Sequence, residues 1–186
     1  MPPTLKFVLL GLLVAGLEEF ITQGVLKNSY GGWIIPTLIA FLPFLLVMLA
    51  VGWWLSRCFR ESTAALIYYL VAGGIGLALE WFVMKLAPWR DPHILQIPFQ
   101  LGMFSFWATV AFAPRLLLDR RNAVSRIRRT YQIALIFLAA AVYACTLSVP
   151  LEHRFLAGIG SVLSAFLLLN VFHFLYVRAL ARLRAH

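Results

Sequence analysis

The chain has 186 residues, of which 62% are hydrophobic and only 12% charged, and its mean hydropathy is +0.88. Soluble domains carry roughly 45–50% apolar residues. This composition therefore excludes a soluble globular protein and predicts an integral membrane protein. The formal charge of +9 is concentrated in a few loops, as in a topology signal, so we do not expect a nucleic-acid partner.

Six apolar runs follow one another along the chain with short links between them. Each is close to the roughly 20 residues that a helix needs to cross a bilayer. The runs are Leu5 to Leu26, Trp33 to Leu55, Ala64 to Leu86, Ile94 to Leu117, Ile133 to Leu151 and Phe155 to Val177. We predict an all-α fold of six transmembrane helices in a single integral membrane domain, residues 1–186. The first run contains two glutamates and lacks a convincing cleavage site, so we interpret it as a retained helix.

The basic residues indicate the orientation. Of the sixteen Lys and Arg residues, twelve fall on one side of a six-span topology. The four on the other side are Lys27, Lys85, Arg90 and Arg154. The positive-inside rule then places both termini in the cytoplasm. We expect a multipass protein of the inner (plasma) membrane of a bacterial-type cell.

The first two hairpins are similar in sequence at an offset of 62 residues, which aligns Glu18 with Glu80. The same offset aligns Gly11 with Gly73, Leu17 with Leu79, Phe20 with Phe82 and Pro36 with Pro98. These matches indicate a tandem repeat of helices 1–2 and helices 3–4, followed by a C-terminal helix pair. A parallel repeat of this kind has its axis along the membrane normal. Chance similarity between apolar segments is the alternative.

Three of the seven acidic residues, Glu18, Glu19 and Glu80, lie inside the apolar runs. A carboxylate there is costly, so it usually faces the protein interior, pairs with another group or takes part in function. Helical rise places Glu18 about 18 Å beyond Lys6, in the outer half of the membrane. We predict that the three acids converge in a ligand-binding site that opens outward. Further predicted ligand-binding residues on that side are Thr22, Gln23, Gln96 and Gln100; buried hydrogen bonds that join helices 1, 3 and 4 are the alternative for them.

Buried carboxyl groups can relay protons, coordinate a cation or act as general acids. The first functional hypothesis is therefore binding or transport of a small cation, a proton or an amphiphile. One alternative is an intramembrane enzyme that acts on a lipid or isoprenoid, with a glutamate as acid or base. Another is a structural subunit or assembly factor of a membrane complex. A membrane-protein partner or a homo-oligomer is compatible with all three.

Two short segments resemble known families. The segment from Glu18 to Gly24 resembles the EExxxR motif of CAAX-type intramembrane proteases, but Gln23 replaces the arginine and the later histidine motifs are missing. The run Leu17-Glu18-Glu19 is similar to small carotenoid-cyclase domains, but lacks the proline and the terminal phenylalanine of their pattern. These departures prevent an assignment to either family.

Residue types that ligate metals occur in two pairs, Asp91 with His93 and Glu152 with His153. Neither spacing matches a known metal-binding array, so we expect no metal and no cofactor. Asn170 and His173 share a face of the sixth run. We interpret them as an interhelical hydrogen-bonding pair rather than as haem ligands.

A basic segment joins the fourth and fifth runs, with the single acid Asp119 in it. Apolar residues interleave with its arginines, as in an interfacial helix. We expect anionic lipid headgroups as its partners, and a simple topology anchor is the alternative. The arginines are Arg115, Arg120, Arg121, Arg126, Arg128 and Arg129.

Small residues in the third run recur at every fourth position, at Ala72 and Gly76, in register with Glu80. Faces of this kind let two helix backbones approach closely inside a membrane. We therefore predict that Gly76 faces a neighbouring helix and that Glu80 lies on the same face.

Overall fold

The computed structural model describes residues 2–26, 31–90 and 96–183. These residues form six helices and no β-strand. The helices are α1 (Pro3–Glu19, continuing as the π-helical segment Phe20–Val25), α2 (Ile34–Pro36, the π-helical segment Thr37–Phe41, and Leu42–Cys58), α3 (Glu61–Ala78, continuing as the π-helical segment Leu79–Val83), α4 (Gln96–Leu118), α5 (Asn122–Ser148) and α6 (Leu151–Arg182).

Five of the six helices, α2 to α6, are long and apolar enough to cross a membrane. Their span-like segments contain 22 to 32 residues, and about 20 are sufficient. Many large apolar side chains on these helices face outward, among them Trp53, Ile136 and Leu156. The structure thus confirms the predicted all-helical membrane architecture. Helix α1, with its two glutamates, is not among the five.

Helix α4 is the centre of the bundle. In its most apolar stretch 67% of the residues are buried, against 17–33% in the other four span-like helices. Helices α1, α3 and α6 pack around it, while α5 packs mainly against α6, and α2 packs against both α1 and α3. Side chains of α4 are therefore in position to contact polar groups from three neighbouring helices.

Small residues set the closest approaches between helices. A Cβ atom added to Gly76 would lie 2.0 Å from Cγ of Trp107 on α4. A Cβ atom added to Gly73 would lie 2.4 Å from the ring of Phe104, which is also on α4, one turn before Trp107. These distances confirm the predicted close-contact face of α3 and show that its partner is α4.

The two ends of the bundle differ in charge. At one end α2 is joined to α3 near Arg57 and Arg60, and α4 to α5 at Arg120 and Arg121, and we call this the basic end. Glu61 begins α3 there, where an acid interacts favourably with the helix dipole. At the other end, which we call the Trp89 end, Trp89 is exposed in the connection that follows α3. An exposed tryptophan of this kind is typical of a membrane interface.

Candidate functional site

Glu80 is the most deeply buried carboxyl group of the predicted site, with 4% of its surface exposed. It lies in the π-helical end of α3, nineteen residues after Glu61 and thus about 28 Å from the basic end. The indole Nε1 of Trp107 donates a hydrogen bond of 3.0 Å to its Oε1 atom. Trp107 is itself fully buried, so the bond lies in the protein interior.

Aromatic rings hold the Trp107 indole in this position. Its ring packs against Phe41 and Phe44 of α2, at centroid distances of 4.7 and 4.8 Å. Phe106 of α4 lies 5.7 Å away. On the fourth side Gly76 leaves the space that the ring occupies against α3. Because the ring is enclosed by close packing, its N–H group remains directed at Glu80.

The two acids of α1 have different environments. Glu19 lies close enough to Glu80 for its charge to act on that carboxyl group. Glu18 instead lines a cavity of about 40 Å³ between α1, α5 and α6, together with Val142 and Val162. Consecutive helical residues point about 100° apart, which accounts for the separation. Glu19 is therefore the neighbour of Glu80, although the sequence repeat aligns Glu18 with it.

Helices α1 and α3 both change to π-helical geometry beside Glu19 and Glu80. The segment Phe20–Val25 begins directly after Glu19, and the segment Leu79–Val83 contains Glu80. Such segments are rare and occur frequently at functional sites. The sequence pattern does not indicate them, because the local π-helical widening depends on how the helices pack.

The polar residues predicted around the acids have other contacts. Thr22 donates a hydrogen bond from Oγ1 to the backbone carbonyl of Glu18, 3.1 Å away in its own helix, and Gln23 is half-buried one residue further on. Gln100 accepts a hydrogen bond of 2.6 Å from Nε1 of Trp81.

Gln100 also links the end of α3 to the start of α4. Its Nε2 atom donates to Leu86 C=O at 3.4 Å and to Gln96 Oε1 at 3.5 Å. The two glutamines thus brace the connection between these helices.

Sequence reasoning missed Trp107, although a signal was present. An indole N–H is a donor only, and a buried one needs an acceptor. A tryptophan in the middle of the fourth apolar run therefore indicated a polar group on a neighbouring helix, which is Glu80.

A second group of polar side chains lies deeper in the bundle, toward the basic end. Tyr69 of α3 donates to Oδ1 of Asn170 at 2.8 Å, and Nδ2 of Asn170 donates to Ser105 of α4 at 2.8 Å. One turn along α6, Nε2 of His173 lies 3.2 Å from the hydroxyl of Tyr131. The interpretation of Asn170 and His173 as interhelical hydrogen-bonding residues is confirmed.

A third polar cluster closes the basic end. Arg121 forms an ion pair with Glu61 at 2.6 Å and another with Asp119, which also accepts a hydrogen bond of 2.8 Å from Tyr176. Burial of Asp119 opposes its ionisation, but the hydrogen bonds from Arg121 and Tyr176 outweigh this effect and hold its pKa below the usual range. The cluster joins α3, α6 and the α4–α5 connection.

No cluster of three or more metal-ligating side chains occurs in residues 2–26, 31–90 and 96–183. His153 Nε2 lies 3.5 Å from Glu152 Oε1 in an exposed pair. Asp91 and His93 lie outside the described residues. No protein-family model, curated protein or solved structure matches the chain. The fold and site therefore define a class only: a helical membrane protein with a buried, indole-bonded carboxyl group.

Proposed function

We propose that this protein crosses the inner membrane six times, with both termini in the cytoplasm, and moves protons by way of Glu80. The observation that carries the proposal is the burial of the Glu80 carboxyl group in a bundle of membrane-spanning helices, where it accepts a hydrogen bond from Trp107. The distribution of basic residues supports the orientation.

The cost of burying charge favours a proton on Glu80. An ionised carboxylate in an apolar interior is stable only when it is paired and hydrogen-bonded. In the part of the chain that the structure describes, no lysine, arginine or histidine forms an ion pair with Glu80. The adjacent Glu19 adds the repulsion of a second acid. Binding a proton removes both costs.

The hydrogen bond from Trp107 favours a proton over a metal cation. A hard cation requires several oxygen ligands around it. The group directed at Oε1 of Glu80 is an indole N–H, which has no lone pair to offer and whose positive end repels a cation. A protonated carboxyl group keeps this bond, because it still accepts through one oxygen.

The position of Glu80 suits exchange with the aqueous phase at the Trp89 end. It lies three residues, or about 5 Å, before the last residue of the π-helical segment Leu79–Val83. Further groups that can donate and accept protons lie toward the basic end, namely Tyr69, Ser105, His173 and Tyr176. This arrangement supports movement of protons across the bundle.

Proton flux in proteoliposomes tests the proposal. The purified protein is reconstituted with a trapped pH-sensitive dye, and an imposed pH gradient is followed in time. We expect the wild-type protein to dissipate the gradient and Glu80→Gln to abolish this flux. Glutamine retains the shape and the acceptor oxygen, so folding is preserved. The matched control is Glu152→Gln, which removes an exposed acid and leaves the flux unchanged. Equal flux from Glu80→Gln and the wild type would refute the proposal.

The basic segment contributes an expected contact with anionic lipid headgroups. Within it, Arg120, Arg126 and Arg129 are exposed, whereas Arg121 and Arg128 contact Asp119. Arg115 lies over the ring of Tyr68, with 5.1 Å between its guanidinium carbon and the ring centroid. The three exposed arginines are therefore the proposed lipid contacts. Each is worth about 1 kcal/mol near an anionic surface.

A further inference from the structure

A large apolar groove with a basic mouth lies at the Trp89 end, and Glu80 is not among its lining residues. Its volume is about 670 Å³, within the range of about 300–1,000 Å³ typical of ligand sites. One wall is the start of α4, with Phe99, and the other is α6 from Phe155 to Leu167. Lys85 and Arg90 line the groove at the connection between α3 and α4, and its described lining contains no acidic residue.

The length of the groove matches one leaflet. From Phe155 to Leu167 the wall on α6 extends over twelve residues, or about 18 Å. One leaflet supplies half of a hydrocarbon core of about 30 Å. An acyl chain that enters beside Lys85 can therefore lie along α6 over the full thickness of one leaflet.

The connection that carries the two basic residues is held in a defined shape. Trp81 packs edge-on against Trp89, with 5.4 Å between ring centroids, and Gln100 donates to Leu86 C=O. The chain then makes a turn, which is closed by a hydrogen bond of 3.0 Å from Arg90 N–H to Ala87 C=O. The cations are thus presented from a braced loop.

Lys85 itself has a strained backbone. Its φ of 62° is the only positive value among the described non-glycine residues. Helices commonly end with glycine in this left-handed conformation, because a Cβ atom makes it unfavourable. A lysine at this position is therefore less favourable for folding than a glycine would be, but it places an ammonium group at the groove.

We propose that the groove binds an anionic phospholipid, with its phosphate between Lys85 and Arg90 and one acyl chain along α6. The charge of the mouth selects an anionic headgroup, and the apolar walls require a chain. Glu80 does not line the groove, and the proposal does not depend on proton movement.

Native mass spectrometry of the detergent-purified protein tests the site. The probes are phosphatidylglycerol, phosphatidylcholine with the same chains, and glycerol phosphate, which has no chain. We expect one phosphatidylglycerol to be retained in preference to phosphatidylcholine, and glycerol phosphate not to compete. Equal retention of the two lipids would overturn the headgroup assignment, and full competition by glycerol phosphate would show a free-phosphate site instead.

Substitution of Lys85 separates binding from folding. Lys85→Gly relieves the left-handed strain, so we expect the melting temperature to rise by about 2–8 °C. The same change should weaken phosphatidylglycerol binding about fivefold, the factor that corresponds to about 1 kcal/mol per basic residue. Arg154→Gln removes a cation at the same end that bonds to Leu147 C=O outside the groove, and should bind as the wild type does. Wild-type binding by Lys85→Gly would refute the proposal.

Two glycines provide a matched test of the apolar part. Gly160 lies in the groove wall, and Gly74 lies on α3 outside the groove. A Cβ atom added to either glycine would meet no atom within 4 Å. Neither Gly160→Leu nor Gly74→Leu should therefore disturb the packing. We expect Gly160→Leu to fill the groove and lose the bound lipid, while Gly74→Leu retains it. Equal retention by the two variants would contradict the chain position.

Discussion

The contact between Gly76 and Trp107 makes a sharp prediction about stability, because the Trp107 side chain packs directly on the Gly76 backbone and so sets the distance between α3 and α4. A Cβ atom at Gly76 would lie 2.0 Å from Cγ and 2.1 Å from Cβ of Trp107. Both atoms are close to the backbone of α4 and cannot move aside as the end of a flexible side chain can. Ordinary carbon contacts are about 3.5–4.0 Å. Gly76→Ala therefore forces the helices apart by about 1.5 Å.

The magnitude follows from two opposing effects. Overpacking of a close-packed interior costs about 1–3 kcal/mol, whereas alanine in place of glycine inside a helix gains about 0.8–1.0 kcal/mol. The expected net destabilisation is about 0–2 kcal/mol. For a chain of this length each kcal/mol changes the melting temperature by about 2–4 °C, so we expect a fall of up to about 8 °C.

Gly74 supplies the control, since it lies two residues away in the same helix and a Cβ atom there meets nothing within 4 Å. Gly74→Ala should show the helix gain alone, a rise of about 2–4 °C. Thermal unfolding of both variants in the same detergent measures the difference. If Gly76→Ala were as stable as Gly74→Ala, the close approach of α3 and α4 would be wrong.

Two further predictions concern the other polar clusters. Asn170→Leu removes the amide that joins Tyr69 to Ser105 and should cost about 1–3 kcal/mol; an unchanged melting temperature would show that the bonds contribute nothing. Because folding lowers the pKa of Asp119, its ionised form stabilises the protein above about pH 4, and this contribution is lost as the pH falls through the folded pKa. Asp119→Asn should therefore cost about 1–2 kcal/mol at pH 7, allowing for solvent screening at the 37%-exposed Arg121. The melting temperatures of the wild type and Asp119→Asn should become equal at acidic pH. A difference between them that is independent of pH would exclude this role of the carboxylate.

The sequence was sufficient to predict the helical membrane architecture and the burial of Glu80 against protein. Apolar length indicates spans, and the high cost of an exposed carboxylate in lipid places Glu80 on an interior face. The four-residue spacing from Gly76 to Glu80 then identified the face that packs on α4.

The remaining features depend on tertiary packing. Whether Glu18 or Glu19 faces Glu80 is decided by the rotation of α1 about its axis. Because the two acids are adjacent in the sequence, their positions do not determine that rotation. The position of Trp107 in an apolar run indicates a polar partner, but the bond joins residues 27 positions apart, so no local pattern identifies Glu80 as that partner. Lys85 adopts a left-handed backbone conformation that is ordinarily occupied by glycine. This conformation depends on the packing of the connection between α3 and α4.

The protonation state of Glu80 is the most direct test of the proposed proton function. Infrared difference spectra of the protein in lipid, recorded between about pH 5 and about pH 8, report protonated carboxyl groups in a range where an ordinary glutamate is ionised. We predict a protonated-carboxyl band that shifts in heavy water, is lost in Glu80→Gln and is retained in Glu152→Gln. A band that persists unchanged in Glu80→Gln, or its absence from the wild-type protein throughout this range, would contradict the proposal.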